Sequence, residues 1–148
     1  MALGGWRRLH RAAGGDRRPH RELSHRDRKG GLMKLTRASQ APRYVAPAHH
    51  EVSTMRLQGR EAGRTERFWV GLSVYRPGGT AEPAPTREET VYVVLDGELV
   101  VTVDGAETVL GWLDSVHLAK GELRSIHNRT DRQALLLVTV AHPVAEVA

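Results

Sequence analysis

The sequence contains no cysteine among its 148 residues. This absence excludes disulfide bonds, thiolate metal sites and cysteine nucleophiles. Because it is also compatible with a reducing compartment, we predict a cytoplasmic protein.

Long apolar runs are absent as well. No segment approaches the roughly 20 apolar residues that span a bilayer. The basic amino terminus is not followed by the apolar stretch of roughly 7–15 residues that a secretory signal requires. The sequence therefore predicts no membrane association and no export signal.

An excess of one charge is absent from most of the chain, although the formal net charge is +5. Residues 1–32 hold 9 Lys and Arg against 3 Asp and Glu, whereas residues 33–148 hold 13 against 14. The positive excess is confined to the first segment. The remainder shows no basic pattern that would predict nucleic-acid binding.

Residues 1–32 are rich in Gly, Arg and His, with few and scattered apolar residues. Such a segment cannot bury enough surface to offset its ordering entropy, so we predict a disordered basic tail. A true start at Met33 would explain the change of composition there. A basic arm for nucleic acid or anionic lipid is one alternative. A transit peptide is another, disfavoured by Asp16, Glu22 and Asp27.

Residues 33–66 predict a lead-in segment with one short edge strand near residues 52–57. Pro42, Pro47, Gly59 and Gly63 interrupt any longer helix in this segment.

The pattern of residues 67–148 is typical of β-strands. Runs of β-branched and aromatic residues alternate with turns that contain Gly and Asp. We predict strands at residues 68–76, 90–95, 98–103, 106–110, 114–118, 124–128 and 134–141. The pairs Asp96-Gly97 and Asp104-Gly105 are typical of hairpin turns and predict a three-stranded meander. The fold class is therefore all-β, a sandwich or closed barrel.

Two segments of this region resemble the signature motifs of the cupin superfamily. Gly78 and Gly97 stand where the first motif has its two glycines, with the same spacing between them. Gly121 and Asn128 stand at the glycine and asparagine of the second motif. The resemblance covers roughly residues 68–142. It implies a cupin-like antiparallel β-barrel, also described as a double-stranded β-helix or jelly roll.

Other residues occupy the metal-ligand positions of that family. Its three histidines and one glutamate correspond here to Ala84, Thr86, Arg124 and Thr90. Alanine has no donor atom, a neutral hydroxyl is a poor ligand for a transition metal, and a guanidinium repels a divalent cation. The resemblance therefore implies a degenerate metal site and no metal cofactor.

The predicted site consists of these positions and their neighbours. By the resemblance Arg124 lies in the barrel mouth, where it either clamps an anionic substrate or pairs with a loop glutamate. The candidate catalytic residues are Arg124, Glu82 and Glu89, with one glutamate as a general base. The predicted substrate-binding residues are Thr86, Thr90, Tyr92, Arg124 and Trp69.

A divalent transition metal held by other side chains is the alternative. Its candidate ligands are His49, His50, His117 and His127, with a loop glutamate. Adjacent strand residues point to opposite faces, so His49 and His50 would share an ion only across a bend.

These observations support three hypotheses of function and leave open whether the barrel is an enzyme. The first is a metal-free barrel that binds a small, anionic organic molecule and catalyses isomerisation, cyclisation or dehydration of a small organic acid. The second is a metal-dependent dioxygenase, isomerase or decarboxylase with non-standard ligands. The third is a non-catalytic binding module. The resemblance also implies a homodimer, for which the apolar strands at residues 68–75 and 134–141 supply surface.

Overall fold

Residues 33–144, which the computed structural model describes, consist of β-strands joined by turns and short loops. The tail predicted at residues 1–32 lies outside them. Their strands are β1 (Arg43–Tyr44), β2 (His49–Gln58), β3 (Phe68–Pro85), β4 (Thr90–Asp96), β5 (Leu99–Val103), β6 (Ala106–Leu110), β7 (Ser115–Leu118), β8 (Leu123–His127) and β9 (Ala134–Ala141). Within this part of the chain the only helical segments are two 3-10 turns, Ala38–Gln40 and Arg60–Ala62. No helix among the described residues is long and apolar enough to cross a membrane.

The strands form two antiparallel layers that share β3. The first half of β3 pairs with β9, β9 pairs with β4, and β4 pairs with β7. The second half of β3 pairs with β8, followed by β5 and β6. Strand β2 lies beside β3 along both halves. This order gives a nearly closed antiparallel barrel and confirms the predicted fold class.

Strand β3 is longer than the sequence predicts. The prediction ends it at Pro77-Gly78-Gly79, whereas the strand continues to Pro85. Gly78 has a φ of 78°. A Cβ on Gly79 would lie 2.8 Å from the carbonyl oxygen of Glu51. The two glycines therefore let the strand bend between the layers beside β2 instead of ending it. Strand β2 also exceeds its predicted length.

One predicted hairpin is confirmed and the other is wrong. Asp104 and Gly105 have φ values of 49° and 82° and join β5 to β6, as a type I′ turn requires. At Asp96-Gly97, however, β4 does not fold back onto β5, because β4 pairs with β7 and β9. The chain crosses between the layers at this turn, so the predicted three-stranded meander does not form.

The core is built from alternate residues of the facing strands. In β4 the residues Thr90, Tyr92 and Val94 are buried, whereas those between them are more exposed. In β9 the buried residues include Leu136 and Val138. This alternation turns one face of each strand toward the barrel interior, where the site described below lies.

One fully buried asparagine fastens β3 to the turn after β8. Asn128 Nδ2 donates to the carbonyl oxygens of Tyr75 (3.0 Å), Arg76 (3.2 Å) and Arg132 (2.7 Å). Its Oδ1 accepts from the backbone N–H (3.0 Å) and the hydroxyl (2.7 Å) of Thr130. Asn128, the asparagine of the second motif, therefore holds the backbone of Tyr75, Arg76 and Arg132 in place.

The two glycines of the Asp-Gly turns differ in their surroundings, which yields a matched prediction. Gly105→Ala should cost about 1–2 kcal/mol of unfolding free energy, because its φ of 82° is left-handed but no atom lies within 4 Å of a new Cβ. Gly97→Ala adds overlap with the Gln133 carbonyl oxygen, 2.7 Å from the Cβ position. It should cost at least about 1 kcal/mol more. Urea denaturation of both variants measures the difference. Equal losses would show that the crossover turn is not held as described.

Candidate functional site

A cavity of about 620 Å³ lies between residues of β1, β2, β3, β4, β8 and β9. This volume is in the range of small-molecule binding sites. All five predicted substrate-binding residues line it, namely Thr86, Thr90, Tyr92, Arg124 and Trp69. The structure thus brings together residues that are as much as 55 positions apart in the sequence, from Trp69 to Arg124. Their role in binding stays a prediction.

The four positions that correspond to metal ligands in the resemblance all line this cavity, but their chemistry does not fit a metal. Ala84 has no donor atom. The hydroxyl of Thr86 donates to the carbonyl oxygen of Ala119 (2.6 Å), and that of Thr90 to the carbonyl oxygen of Glu88 (2.8 Å). The fourth side chain is the permanent cation of Arg124. Two neutral hydroxyls beside a guanidinium are a poor donor set for a transition metal.

Arg124 projects into the cavity from β8, which lies between β3 and β5. Its Nε donates to the phenol oxygen of Tyr92 (2.9 Å), and its Nη1 to the carbonyl oxygen of Glu82 (3.2 Å). None of the ion pairs among the described residues includes Arg124. The ion pair with a loop glutamate, one of the two sequence-based alternatives, is therefore not formed there.

The side chains of the two glutamates predicted to be catalytic do not line this cavity. Glu82 accepts from His50 Nε2 at 3.0 Å and is 57% exposed. Glu89 pairs with His117 Nε2 at 2.7 Å and is 66% exposed. The glutamate that does line the cavity is Glu88, which is 17% exposed and pairs with Lys120 at 3.4 Å.

The four histidines proposed as alternative metal ligands are not brought together. His50 and His117 belong to the two separate pairs with glutamates, and His127 lies on β8 between Thr80 and Val100. Among the residues that the structure describes, no three His, Cys, Asp or Glu side chains are grouped so that they could hold a metal ion.

His49 is the imidazole that lines the cavity. Its Nδ1 lies 2.7 Å from the carbonyl oxygen of Pro47, which can only accept, so Nδ1 carries the proton and Nε2 is the free acceptor. Burial lowers the pKa of His49, and the nearby charge of Arg124 lowers it further. The imidazole is therefore neutral at pH 7. Sequence reasoning considered His49 only as a metal ligand.

Two tyrosines of the layer formed by β3, β9 and β4 also line the cavity. The phenol of Tyr92 accepts its hydrogen bond from Arg124, which leaves its own proton to donate to a neighbour. Burial raises the pKa of Tyr75 far above its usual value, so this phenol stays protonated at every accessible pH. The cavity therefore presents phenol groups beside a cation.

A second arginine, Arg56 on β2, lines the cavity and was missed by the sequence analysis. Its Cζ lies 3.4 Å from the ring centroid of Tyr44 and 4.1 Å from that of Trp69. Its Nε donates to Glu61 at 2.8 Å. The sequence signal that could have indicated Arg56 is strand alternation, because residues two apart on a strand point to the same face. Arg56 is two residues from Thr54, which is buried.

These groups define what the cavity can do chemically. Arg124 offers a positive charge that no carboxylate of the described residues neutralises. Tyr92 offers a proton, and His49 offers a neutral nitrogen that accepts one. A positive charge, a proton donor and a proton acceptor around one space are elements that general acid–base chemistry can use.

Solved structures share this architecture. A polyketide cyclase from Streptomyces resistomycificus is similar with a TM-score of 0.66 and 18% identity, over 74% of this chain and 80% of that protein. A cupin of the RmlC-like kind from Shewanella frigidimarina has a TM-score of 0.62 and 18% identity, over 78% and 95%. A sugar phosphate isomerase of the cupin superfamily from Silicibacter pomeroyi has a TM-score of 0.58 and 26% identity, over 70% of both chains.

The family model described as "Cupin domain" matches residues 71–140, a range that begins in β3 and ends in β9. It includes both segments that carry the sequence motifs and every residue that corresponds to a metal-ligand position. The strand order, the motif spacing and the family match agree. Residues 71–140 therefore form a domain of the cupin superfamily.

Proposed function

We propose that this cupin barrel binds a small organic anion in its cavity without a metal, and that Arg124 is the group that holds the anion. The observation that carries the proposal is the guanidinium of Arg124, which forms no ion pair within residues 33–144 and stands where the resemblance places a metal ligand. At that position the arginine side chain itself supplies a positive charge to the cavity.

The energetic argument rests on the partners of Arg124. A half-buried guanidinium without a counter-ion is costly, since hydrogen bonds to a phenol and a backbone carbonyl leave its charge uncompensated. A carboxylate or phosphate would compensate that charge and accept two of its N–H groups at once. Ligand binding is thus favoured because an anion compensates the charge of Arg124, which its two neutral hydrogen-bond partners do not.

The metal-dependent alternative has less support. It needs donors at the positions of Ala84, Thr86 and Thr90, or a regrouping of histidines that lie apart. A stoichiometric metal found experimentally would nevertheless revive it.

We further propose that the bound acid undergoes proton transfer, with His49 Nε2 as the acceptor and Tyr92 as the donor. The ligand C–H bond breaks as its proton moves to Nε2, and the Tyr92 proton moves to the oxygen on which negative charge develops. Isomerisations and cyclisations proceed through such steps. The polyketide cyclase and the sugar phosphate isomerase among similar structures support this reaction class for the barrel.

A non-catalytic binding module would share the cavity and differ only in turnover. The homodimer implied by the resemblance likewise stays a prediction, which light scattering measures.

The anion site can be tested with benzoate and its neutral analogue benzamide. Benzoate should raise the melting temperature of the full chain and benzamide should not, because only the carboxylate pairs with Arg124. Arg124→Gln should weaken benzoate binding about 10–100-fold, the value of charge-assisted hydrogen bonds.

Arg76→Gln is the matched control, because Arg76 is half exposed and pairs with Glu51 away from the cavity. Equal affinity of both variants for benzoate would reject Arg124 as the anion anchor.

The metal-free state can be tested by elemental analysis of untagged protein. We expect less than about a tenth of an equivalent of any transition metal. A variant with Ala84→His, Thr86→His, Thr90→Glu and Arg124→His should instead take up about one Zn²⁺, because these four positions line one cavity. A stoichiometric metal in the natural sequence would overturn the proposal and make His49, His50, His117 and His127 the first residues to replace.

Proton transfer can be followed as deuterium uptake by 4-oxopentanoate in D₂O, measured by NMR. The protein should accelerate exchange of the protons beside the ketone, and His49→Gln or Tyr92→Phe should each lower that acceleration about 100-fold. His50→Gln is the control, since His50 neighbours His49 but pairs with Glu82 outside the cavity. Exchange no faster than in buffer would reject proton transfer for this class of acid.

A further inference from the structure

The Arg56 guanidinium forms an aromatic and ionic cluster at the wall of the cavity. Tyr44 and Trp69 flank it, with their rings 6.1 Å apart at an interplanar angle of 80°. Glu61 binds its Nε, and the side chain is only 12% exposed. These contacts fix the guanidinium in one place, so any donor it has left points in a defined direction.

Arg56 Nη1 is buried and has no hydrogen-bond partner, and it is the one such side-chain nitrogen or oxygen among the residues that the structure describes. A buried donor without an acceptor costs roughly 1–3 kcal/mol. Native structures leave few such groups without a reason. The missing acceptor is the first feature that indicates a ligand contact here.

The charge of Arg56, unlike that of Arg124, already has a counter-ion. Hydrogen bonds from the backbone N–H of Glu61 and from the Arg56 side chain lower the pKa of the Glu61 carboxyl group. This carboxylate is therefore ionised at pH 7. The pair has no net charge to offer to an anion. What the cluster offers is a single directed N–H group, whose fitting partner is a neutral oxygen such as a ketone or an ester carbonyl.

One ring of this cluster lies on the shortest strand of the described residues. Tyr44 belongs to β1, which has two residues and pairs only with β2. Tyr44, Arg56 and Trp69 all line the cavity. A ligand oxygen that displaces the Tyr44 ring would break its contacts with Arg56 and Trp69 and would supply the acceptor that Nη1 lacks.

We infer that the cavity has two polar ends and that its ligand is a carboxylic acid carrying a neutral carbonyl oxygen some distance away, with the carboxylate on Arg124 and the carbonyl on Arg56 Nη1. This inference rests on the proposed anion site and names the class of its ligand. It assigns Arg56 a role in specificity.

The test uses oxo acids from 4-oxopentanoate to 7-oxooctanoate, each compared with the methyl-branched acid of the same length, such as 4-methylpentanoate. NMR titration of the full chain gives the dissociation constants. At the chain length that spans both ends, the oxo acid should bind about tenfold more tightly than its branched analogue. Arg56→Met should abolish this ratio, whereas Arg124→Gln should weaken both acids and leave the ratio unchanged.

Glu61→Gln provides a second variant at a side chain that is half exposed and therefore tolerant of substitution. It removes the counter-ion of Arg56, so dicarboxylates of equal carbon number should gain affinity relative to the oxo acids.

Failure of the two proposals would look different. If oxo and branched acids bind equally at every length, and both still depend on Arg124, the role of Arg56 is wrong and the anion site stands. If neither acid binds, or Arg124→Gln changes nothing, the anion site itself is wrong. A ratio that persists in Arg56→Met would also overturn the inference, because another donor would then hold the carbonyl.

Discussion

The shape of the barrel and of its cavity depends on the double pairing of β3. One continuous strand, Phe68–Pro85, hydrogen-bonds to β9 in one layer and to β8 in the other, with β2 beside it along both halves. This strand places Trp69 from one layer and Ala84 from the other on the same cavity. The bend at Gly78-Gly79 is what permits both pairings, because a straight strand would belong to one layer only. The pairing registers of β2 and β8 against β3 determine where Arg56 and Arg124 lie.

Much of the fold was predictable because local chemistry and tertiary structure agree. Runs of β-branched and other apolar residues between turns identified β4, β6 and β9, and the Asp104-Gly105 turn formed as its residue types require. The hairpin prediction at Asp96-Gly97 was wrong because the same dipeptide occurs in hairpins and in crossovers between layers. Only the pairing partners of the flanking strands distinguish the two. The predicted end of β3 at Pro77-Gly78-Gly79 was wrong for a similar reason, because glycine ends a strand in one context and bends it in another.

The site was predictable as far as motif spacing reached. The resemblance to the family motifs placed Thr86, Thr90 and Arg124 on one cavity, whereas the side chains of Glu82 and Glu89 pair with histidines instead. The contributions of Arg56 and His49 lie before the motifs, on a strand whose register no motif records. Their placement follows from the pairing of β2 with β3, which short-range patterns do not encode.

The buried asparagine has a consequence for how such barrels diversify. Asn128 and the left-handed glycines Gly78, Gly97 and Gly121 satisfy requirements of the backbone away from the cavity, whereas Ala84, Thr86, Thr90 and Arg124 line the cavity. The residues of the two sets are interspersed along the same strands and turns. Backbone geometry constrains the first set, whereas the second set determines the chemistry of the cavity. Exchange of the second set changes the chemistry of the interior while the scaffold keeps its fold. Substitutions among the cavity-lining residues can therefore alter what the interior binds without removing the backbone contacts that hold the barrel together.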